Sequence, residues 1–346
     1  MLQHLRASLL YVGSTLIIFC GLYPLVVLGI AKVFFPAQAS GSLLDKHGQS
    51  VTDPAKAVGS RLIGQPFSEA GYFQPRPSAT SPAYNAAASG ATNWGASNCQ
   101  LRDRVARILG PLAKYAGGPQ KGQAVGPDIE AWFQKNSVSG KDGGIVAYWA
   151  KNFPTLATNW VKSDPLITEF VAGWMKDHAD EVASWKAEHE GNEPQPPDMA
   201  GAFFESYAKT SPGTWPSIQE QVKPDGTSQK VVQPVDRGSD IQSYFFDLWL
   251  QEHSDAELEQ VPADMVMASG SGLDPHITLQ NALYQLDRVA ASRAAANQMP
   301  ESQVRKEIEV LLKQKAAAPL GGLVGVPLVN VLEMNLALEK HFAEKH

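Results

Sequence analysis

The feature that most constrains this chain is an uncharged run from Ala7 to Ala31, bounded by Arg6 and Lys32. A helix rises about 1.5 Å per residue, so the run reaches about 35 Å and crosses a hydrocarbon core about 30 Å thick with some tilt. A signal peptide has an apolar core of about 7 to 15 residues. The Ala37-Gln38-Ala39 triplet has the form of a cleavage site but follows a run too long for that reading. A buried core helix is rarely apolar on every face over such a length. The run therefore reads as an anchor. Pro24, deep within it, lacks an N–H and is expected to free a carbonyl and bend the helix. The short leader carrying His4 and Arg6, followed by a long polar chain, places the N-terminus inside and the rest outside.

The polar chain beyond the anchor is longer than one hydrophobic core usually grows. The whole chain has net charge −6, but residues 111–260 alone carry 12 basic and 22 acidic side chains, net −10. The same stretch holds seven of the eight tryptophans: Trp132, Trp149, Trp160, Trp174, Trp185, Trp215 and Trp249. That shift marks a separate insert. Its aromatic residues read as core, and its acidic surface as solvation, since no calcium-loop spacing recurs. Cys20 lies mid-span and Cys99 far along the polar part, so no disulfide framework indicates the compartment. No basic, aromatic-interleaved tract points to nucleic acid.

Residues 34–51 read as a connector, with a short strand expected near Arg61–Gly64 and irregular chain after it, where Pro66, Gly71, Pro75 and Pro77 recur. Asn98 is placed to cap a helix running to about Leu109. In the insert, helices are expected at Asp128–Lys135, Pro165–His189 and Asp240–His253. The proline-containing stretch WPSIQEQVKPDGTSQKVVQP reads as a break between them. Val261–Ser269 is a short strand or an irregular buried stretch, Thr278 caps Leu279–Ala295, and a helix fills Pro300–Lys315. Leu328–Glu333 reads as a strand, with Asn335 as cap of the terminal helix.

No phosphate loop, dinucleotide fingerprint, metalloprotease helix, nucleophile elbow or paired-cysteine site is present. Asp, Ser and His gather in GSGLDPH at 270–276. There Asp274 and His276 have the chemistry of a base and a ligand, and Ser269, Ser271 and Gly272 that of an anion-holding loop. Turn geometry and helix entry explain the same residues. Ser97 likewise reads as a loop residue. The residues alone describe an anchored, exported, non-catalytic α+β protein.

Four ordered blocks resemble the KdpC family, an accessory component of the high-affinity Kdp-type potassium-transporting ATPase. They are GLYPLVVLGIAKVFFPAQASGSLL at 21–44, residues 59–98 with QPRPSAT and YNAAASGATNWGASN, residues 261–289 from VPADMVMASGSGLDPHI to YQLDRV, and LVGVPLVNVLEMNLAL at 323–338. The resemblance implies a transmembrane helix at 1–35 and a mixed α/β extracytoplasmic domain from 36–110 and 261–346. It leaves 111–260 as an acidic, largely helical insert outside the usual family pattern. It further implies a non-catalytic accessory subunit in a bacterial cytoplasmic membrane, single-pass, with its main domain outside. Its partners would be a P-type ATPase subunit, a channel-like potassium-translocating subunit, a small single-span subunit and membrane lipid. ATP, Mg2+ and K+ would be used by the complex, with no cofactor held by this chain. Pro24 belongs to the family span. Arg76, Pro77, Ser78, Asn85, Asn93 and Asn98 match the first loop, Ser271, Gly272 and Asp274 the SGSGLD turn, and Asn330 and Asn335 the terminal block. These are the residues expected to frame the fold or meet partners. The alternative is an anchored extracytoplasmic binding module acting outside any pump.

Overall fold

The computed structural model describes residues 2–138, 144–222 and 227–344. In chain order the main elements are α1 (Leu2–Phe34), β1 (Leu43–Leu44), β2 (Ser50–Val51), β3 (Gly59–Ser60), α2 (Cys99–Leu112), α3 (Gly126–Val138), α4 (Gly144–Asn152), α5 (Pro154–Lys162), α6 (Pro165–Asp177), α7 (Ala179–Glu188) and α8 (Ala200–Thr210). They continue with β4 (Trp215–Val222), β5 (Ser228–Val235), α9 (Ser239–Glu252), β6 (His276–Thr278), α10 (Leu279–Asn297), α11 (Glu301–Lys315), β7 (Leu328–Asn330) and α12 (Val331–Ala343).

α1 is one helix of 33 residues, and its most apolar 18-residue window has mean hydropathy 2.3 and is wholly unburied. That unburied surface rules out a core helix and leaves a single membrane span, with the polar chain after it. Ile17–Leu22 forms a π-helical turn immediately before Tyr23-Pro24. The wider turn re-routes the carbonyls that the missing Pro24 N–H would otherwise leave unmet.

The chain divides into two units, Met1–Asn93 with Pro262–His346, and Trp94–Val261. In the first, β1 lies between β2 and β3, antiparallel to both. β6 pairs antiparallel with β7 through His276↔Asn330, Ile277↔Val329 and Thr278↔Leu328. The core lies among α10, α11 and α12, with Leu286, Val289, Val304, Ile308, Leu312, Met334 and Leu338 all buried. Thr278 caps α10 as expected, its hydroxyl accepting from the Asn281 N–H.

The second unit is helical around an aromatic core. The Trp149 ring lies 5.1 Å from Trp215 and 5.3 Å from Phe204, edge to face, with Tyr244 and Phe245 completing the shell. Edge-to-face geometry sets a ring's positive rim against a negative face. Trp132, Trp149, Trp160, Trp215 and Trp249 are buried, as core residues should be. α2 belongs to this unit and not to the residues before it. Its Gly110 lies so close to the Gln242 carbonyl of α9 that a Cβ would overlap it, and its Arg102 pairs with Asp247 at 2.6 Å.

Several elements differ from the sequence reading. Arg61–Gly64 is a turn, and the strand sits just before it at Gly59–Ser60. The stretch WPSIQEQVKPDGTSQKVVQP is not a break in its described residues: β4 and β5 pair antiparallel with Pro216 facing Pro234, while residues 223–226 lie outside the described residues. Opposed residues of an antiparallel pair alternate between exchanging two hydrogen bonds and exchanging none, so two prolines are tolerated at a pair of the second kind. Val261–Ser269 contains one helical turn, Ala263–Val266. The terminal strand stops at Asn330, whose side chain accepts from the Glu333 N–H and caps α12. Asn335 lies within that helix, so it is not the cap.

Pro165–His189 is two helices rather than one, parted at His178, where φ and ψ become −124° and 54°. The cause recurs. The imidazoles of His178, His189 and His253 each stack on the tryptophan four residues earlier, with centroids 4.6, 3.7 and 4.7 Å apart. Each Nδ1 also lies 2.8 to 2.9 Å from that tryptophan's carbonyl oxygen. At His178 and His189 the ring nitrogen takes the place of an N–H that the ended helix no longer supplies, whereas at His253 it joins the backbone N–H that already reaches the Trp249 carbonyl at 3.0 Å. The sequence W-x-x-[DE]-H thus ends α6, α7 and α9 in the same way. Replacing His178 and His189 together by Ala should lower stability by about 1–2 kcal/mol, the scale of a lost cap at each helix end. Chemical denaturation followed by tryptophan fluorescence measures it, and an unchanged midpoint would refute the capping role.

Candidate functional site

Parts of the second, third and fourth family-like blocks meet in the first unit at a stretch of chain that has no strand partner. A turn closed by the Tyr72 N–H on the Glu69 carbonyl leads into Phe73 and Gln74, whose backbone hydrogen bonds are supplied by side chains. Asn335, 1% exposed, accepts from the Phe73 N–H at 2.9 Å and donates to the Phe73 carbonyl at 2.9 Å. Gln285 does the same for Gln74, accepting at 2.8 Å and donating at 3.0 Å. Arg293 donates to the Gly71 carbonyl, and Arg288 to those of Ala70 and Tyr72. A carboxamide offers one donor and one acceptor, as a facing peptide group does. Phe73 is thereby held in the core of the unit with its own N–H and carbonyl both met.

Beyond this clamp the chain continues into the irregular Arg76-Pro77-Ser78 stretch. The Ser78 hydroxyl donates to the Gly272 carbonyl at 2.7 Å, and the Gly90 N–H donates to the Ser271 carbonyl at 2.9 Å. The Gly64 N–H donates to the Leu273 carbonyl at 2.7 Å. Three separate loops are so tied to residues 271–273. Gly272 has φ +69°, and a Cβ there would come within 2.7 Å of the Gly90 carbonyl oxygen. Asp274 accepts from the His276 N–H at 3.0 Å, faces the His276 ring at 3.2 Å and lies 3.5 Å from the Arg76 guanidinium. The His276 side chain, then its backbone N–H and the Arg76 charge, hold the Asp274 carboxyl below the usual carboxylate range despite partial burial. Tyr84 donates to the Arg76 carbonyl at 2.7 Å, and burial pushes its hydroxyl up to about 12, so it stays a donor.

Of the residues singled out in the sequence, Arg76, Pro77, Ser78, Ser271, Gly272 and Asp274 come together here. Asn85 closes a local turn by accepting from Ala87. Asn93 stands exposed at φ 51°. Asn98 caps α2 in the other unit, Asn330 caps α12 and donates to the Arg61 carbonyl, and Pro24 stays in the span. Gln285, Arg288 and Arg293 were not anticipated. The signal available was amides at Asn281 and Gln285, four apart on the face of α10 that should be apolar.

Beside the cluster lies an open groove of about 600 Å3. Its walls are Pro262, Ala263 and Met267, then Leu279 and Leu283 of α10, and Val326 with Pro327, with Arg76 at its polar edge. Asp264, also on the wall, is occupied: its carboxylate accepts from the Thr278 N–H at 2.7 Å and hydroxyl at 3.1 Å. The Arg76 Nε is buried without a partner. Leu283 is 39% exposed and Val326 54%, and the apolar rim continues into Leu320, Leu323 and Val324, all exposed. Large apolar side chains gathered at one edge of a domain mark a surface that another body covers. Among the described residues no group of three His, Cys, Asp or Glu side chains is placed to hold a metal ion.

Two outcomes test this geometry. Gly272→Ala should cost about 1–3 kcal/mol, because a side chain is strained at that φ and meets backbone. Gly270→Ala, which meets nothing within 4 Å, should be near neutral. Thermal unfolding of the detergent-solubilised chain compares them, and equal melting temperatures would refute the account. For Asp274 the folded value lies below the unfolded one, so its contribution is present above about pH 4 and is lost as pH falls through the folded value. Asp274→Asn should therefore be less stable than the parent at neutral pH, with the gap closing in acid. A gap constant to pH 3 would contradict that sign.

Comparison with known proteins places these features in a family. The sequence pattern of KdpC, described as "K+-transporting ATPase, c chain", matches residues 5–152 and 239–340. The potassium-transporting ATPase KdpC subunit of Koribacter versatilis is 39% identical over 118 residues, 34% of this chain and 58% of that protein. The KdpC subunit of Ralstonia nicotianae is 28% identical over 336 residues, covering 96% of this chain and 89% of the relative. That of Rhodopseudomonas palustris is 26% identical over 351 residues, 98% of each. The middle segment was read as lying outside the family resemblance, yet these two long relatives extend through it. With a match over most of its length, the chain belongs to the KdpC family of K+-transporting ATPase c chains.

Proposed function

We propose that this chain is the non-catalytic, membrane-anchored accessory subunit of an ATP-driven potassium import complex. Its first unit docks on the extracytoplasmic face of partner subunits in a bacterial cytoplasmic membrane, with the N-terminus on the cytoplasmic side. The partners are the P-type ATPase subunit, the channel-like potassium-translocating subunit and a small single-span subunit. The complex uses ATP, Mg2+ and K+, and this chain's part is to stabilise the assembly. The observation that carries the reading is the apolar groove with its exposed rim, because every residue lining it comes from the family-like blocks. Arg76, Ser78, Ser271, Gly272 and Asp274 shape that face from behind, while Asn335 and Asn330 hold the chain that forms it. Pro24 and its π-helical turn give the span an irregular side for packing against neighbouring helices.

The test is co-purification from detergent-extracted membranes. The parent chain should bring down a P-type ATPase and a multi-span partner in fixed ratio. Leu283→Asp with Val326→Asp places charge on exposed groove positions, so the chain should stay folded while complex yield falls at least tenfold. A parent chain that leaves the membrane alone, as a stable monomer, would favour the lone binding module. Unchanged yield in the double variant would remove the groove from the interface.

A further inference from the structure

A second cavity, of about 520 Å3, lies wholly within the Trp94–Val261 unit and shares no residue with the docking face. α2 lends it Gln100, Asp103 and Arg107. The end of α4 and the first turn of α5 lend Asn152, Phe153, Thr155, Leu156 and Asn159, and Trp94 forms a wall. Arg107 lies over the Tyr244 ring at 5.6 Å, and its Nε is buried with no hydrogen-bond partner. One turn earlier Arg104 lies 5.1 Å over Trp94, with Nε and Nη2 buried and likewise unpartnered. A buried donor without an acceptor is costly, and of these two arginines it is Arg107 that lines the cavity. α5 begins at this wall with Pro154, which carries no N–H, and its N-cap residue Phe153 makes no side-chain cap.

We infer that this cavity binds a small organic monocarboxylate with a flat apolar body. The volume suits a ligand of that size. Arg107 and the amides of Asn152, Asn159 and Gln100 supply donors for a carboxylate. Trp94, Phe153 and Leu156 supply faces for a ring. Asp103 fixes a negative charge on the same wall and so selects a monoanion over a dianionic phosphate.

The full chain in detergent is titrated calorimetrically with benzoate, with benzyl alcohol and inorganic phosphate as comparisons at constant ionic strength. Saturable 1:1 binding of benzoate is expected, at least tenfold weaker for benzyl alcohol and not displaced by phosphate. Arg107→Gln should weaken it at least tenfold. Because Arg107 also rests on Tyr244, Asn159→Asp provides the second variant: Asn159 is exposed, and the new charge faces the ligand. It too should weaken benzoate at least tenfold. No saturable binding, equal affinity for benzyl alcohol, displacement by phosphate, or full affinity in Asn159→Asp would each overturn the assignment.

Discussion

The first unit depends on a substitution of side chains for a strand. The segment around Phe73 must cross apolar surroundings, and a backbone without partners there is costly. Asn335 and Gln285 act as peptide mimics, each meeting one N–H and one C=O. Removing the Asn335 carboxamide would leave two buried groups unmet, at about 1–3 kcal/mol each, far more than the about 1 kcal/mol net of a bond in place. Phe73 and the Arg76 stretch beyond it hold their positions only while this clamp stands. Through Ser78 the same stretch fixes residues 271–273, and with them the cluster beside the groove.

The second unit achieves order by a different route. Its short helices have modest individual stability, and their ends are settled by repeated local chemistry: a tryptophan and a histidine four residues on, stacked and sharing one carbonyl. The buried tryptophans then join these pieces in one aromatic core. Gly110 lets α2 approach α9 more closely than any side chain would allow. The acidic composition of this unit belongs largely to its surface, where charge costs little.

Where the sequence reading succeeded, the physics was local. The Ala7–Ala31 run, the Asn98 and Thr278 caps and the helices at Leu279 and Glu301 follow from hydropathy, capping chemistry and spacing within a few residues. It failed where distant parts decide. Pro216 and Pro234 looked like breakers because each was judged alone, whereas the register of the β4–β5 pair puts them opposite one another. Pro165–His189 looked continuous because its apolar spacing crosses His178 unbroken. Asn335 looked like a cap because asparagine near a helix start usually is one. Its partner is Phe73, 262 residues away in the chain.

By itself the sequence determined the anchor, the composition boundary of the insert and the four blocks that identify the family. An uncharged run of 25 residues and a cluster of tryptophans keep their meaning without coordinates. The clamp, the groove and the orphaned arginines were decided only by the tertiary structure. Each arises from polar groups far apart in sequence that must satisfy one another once water is excluded, and no local pattern records that pairing.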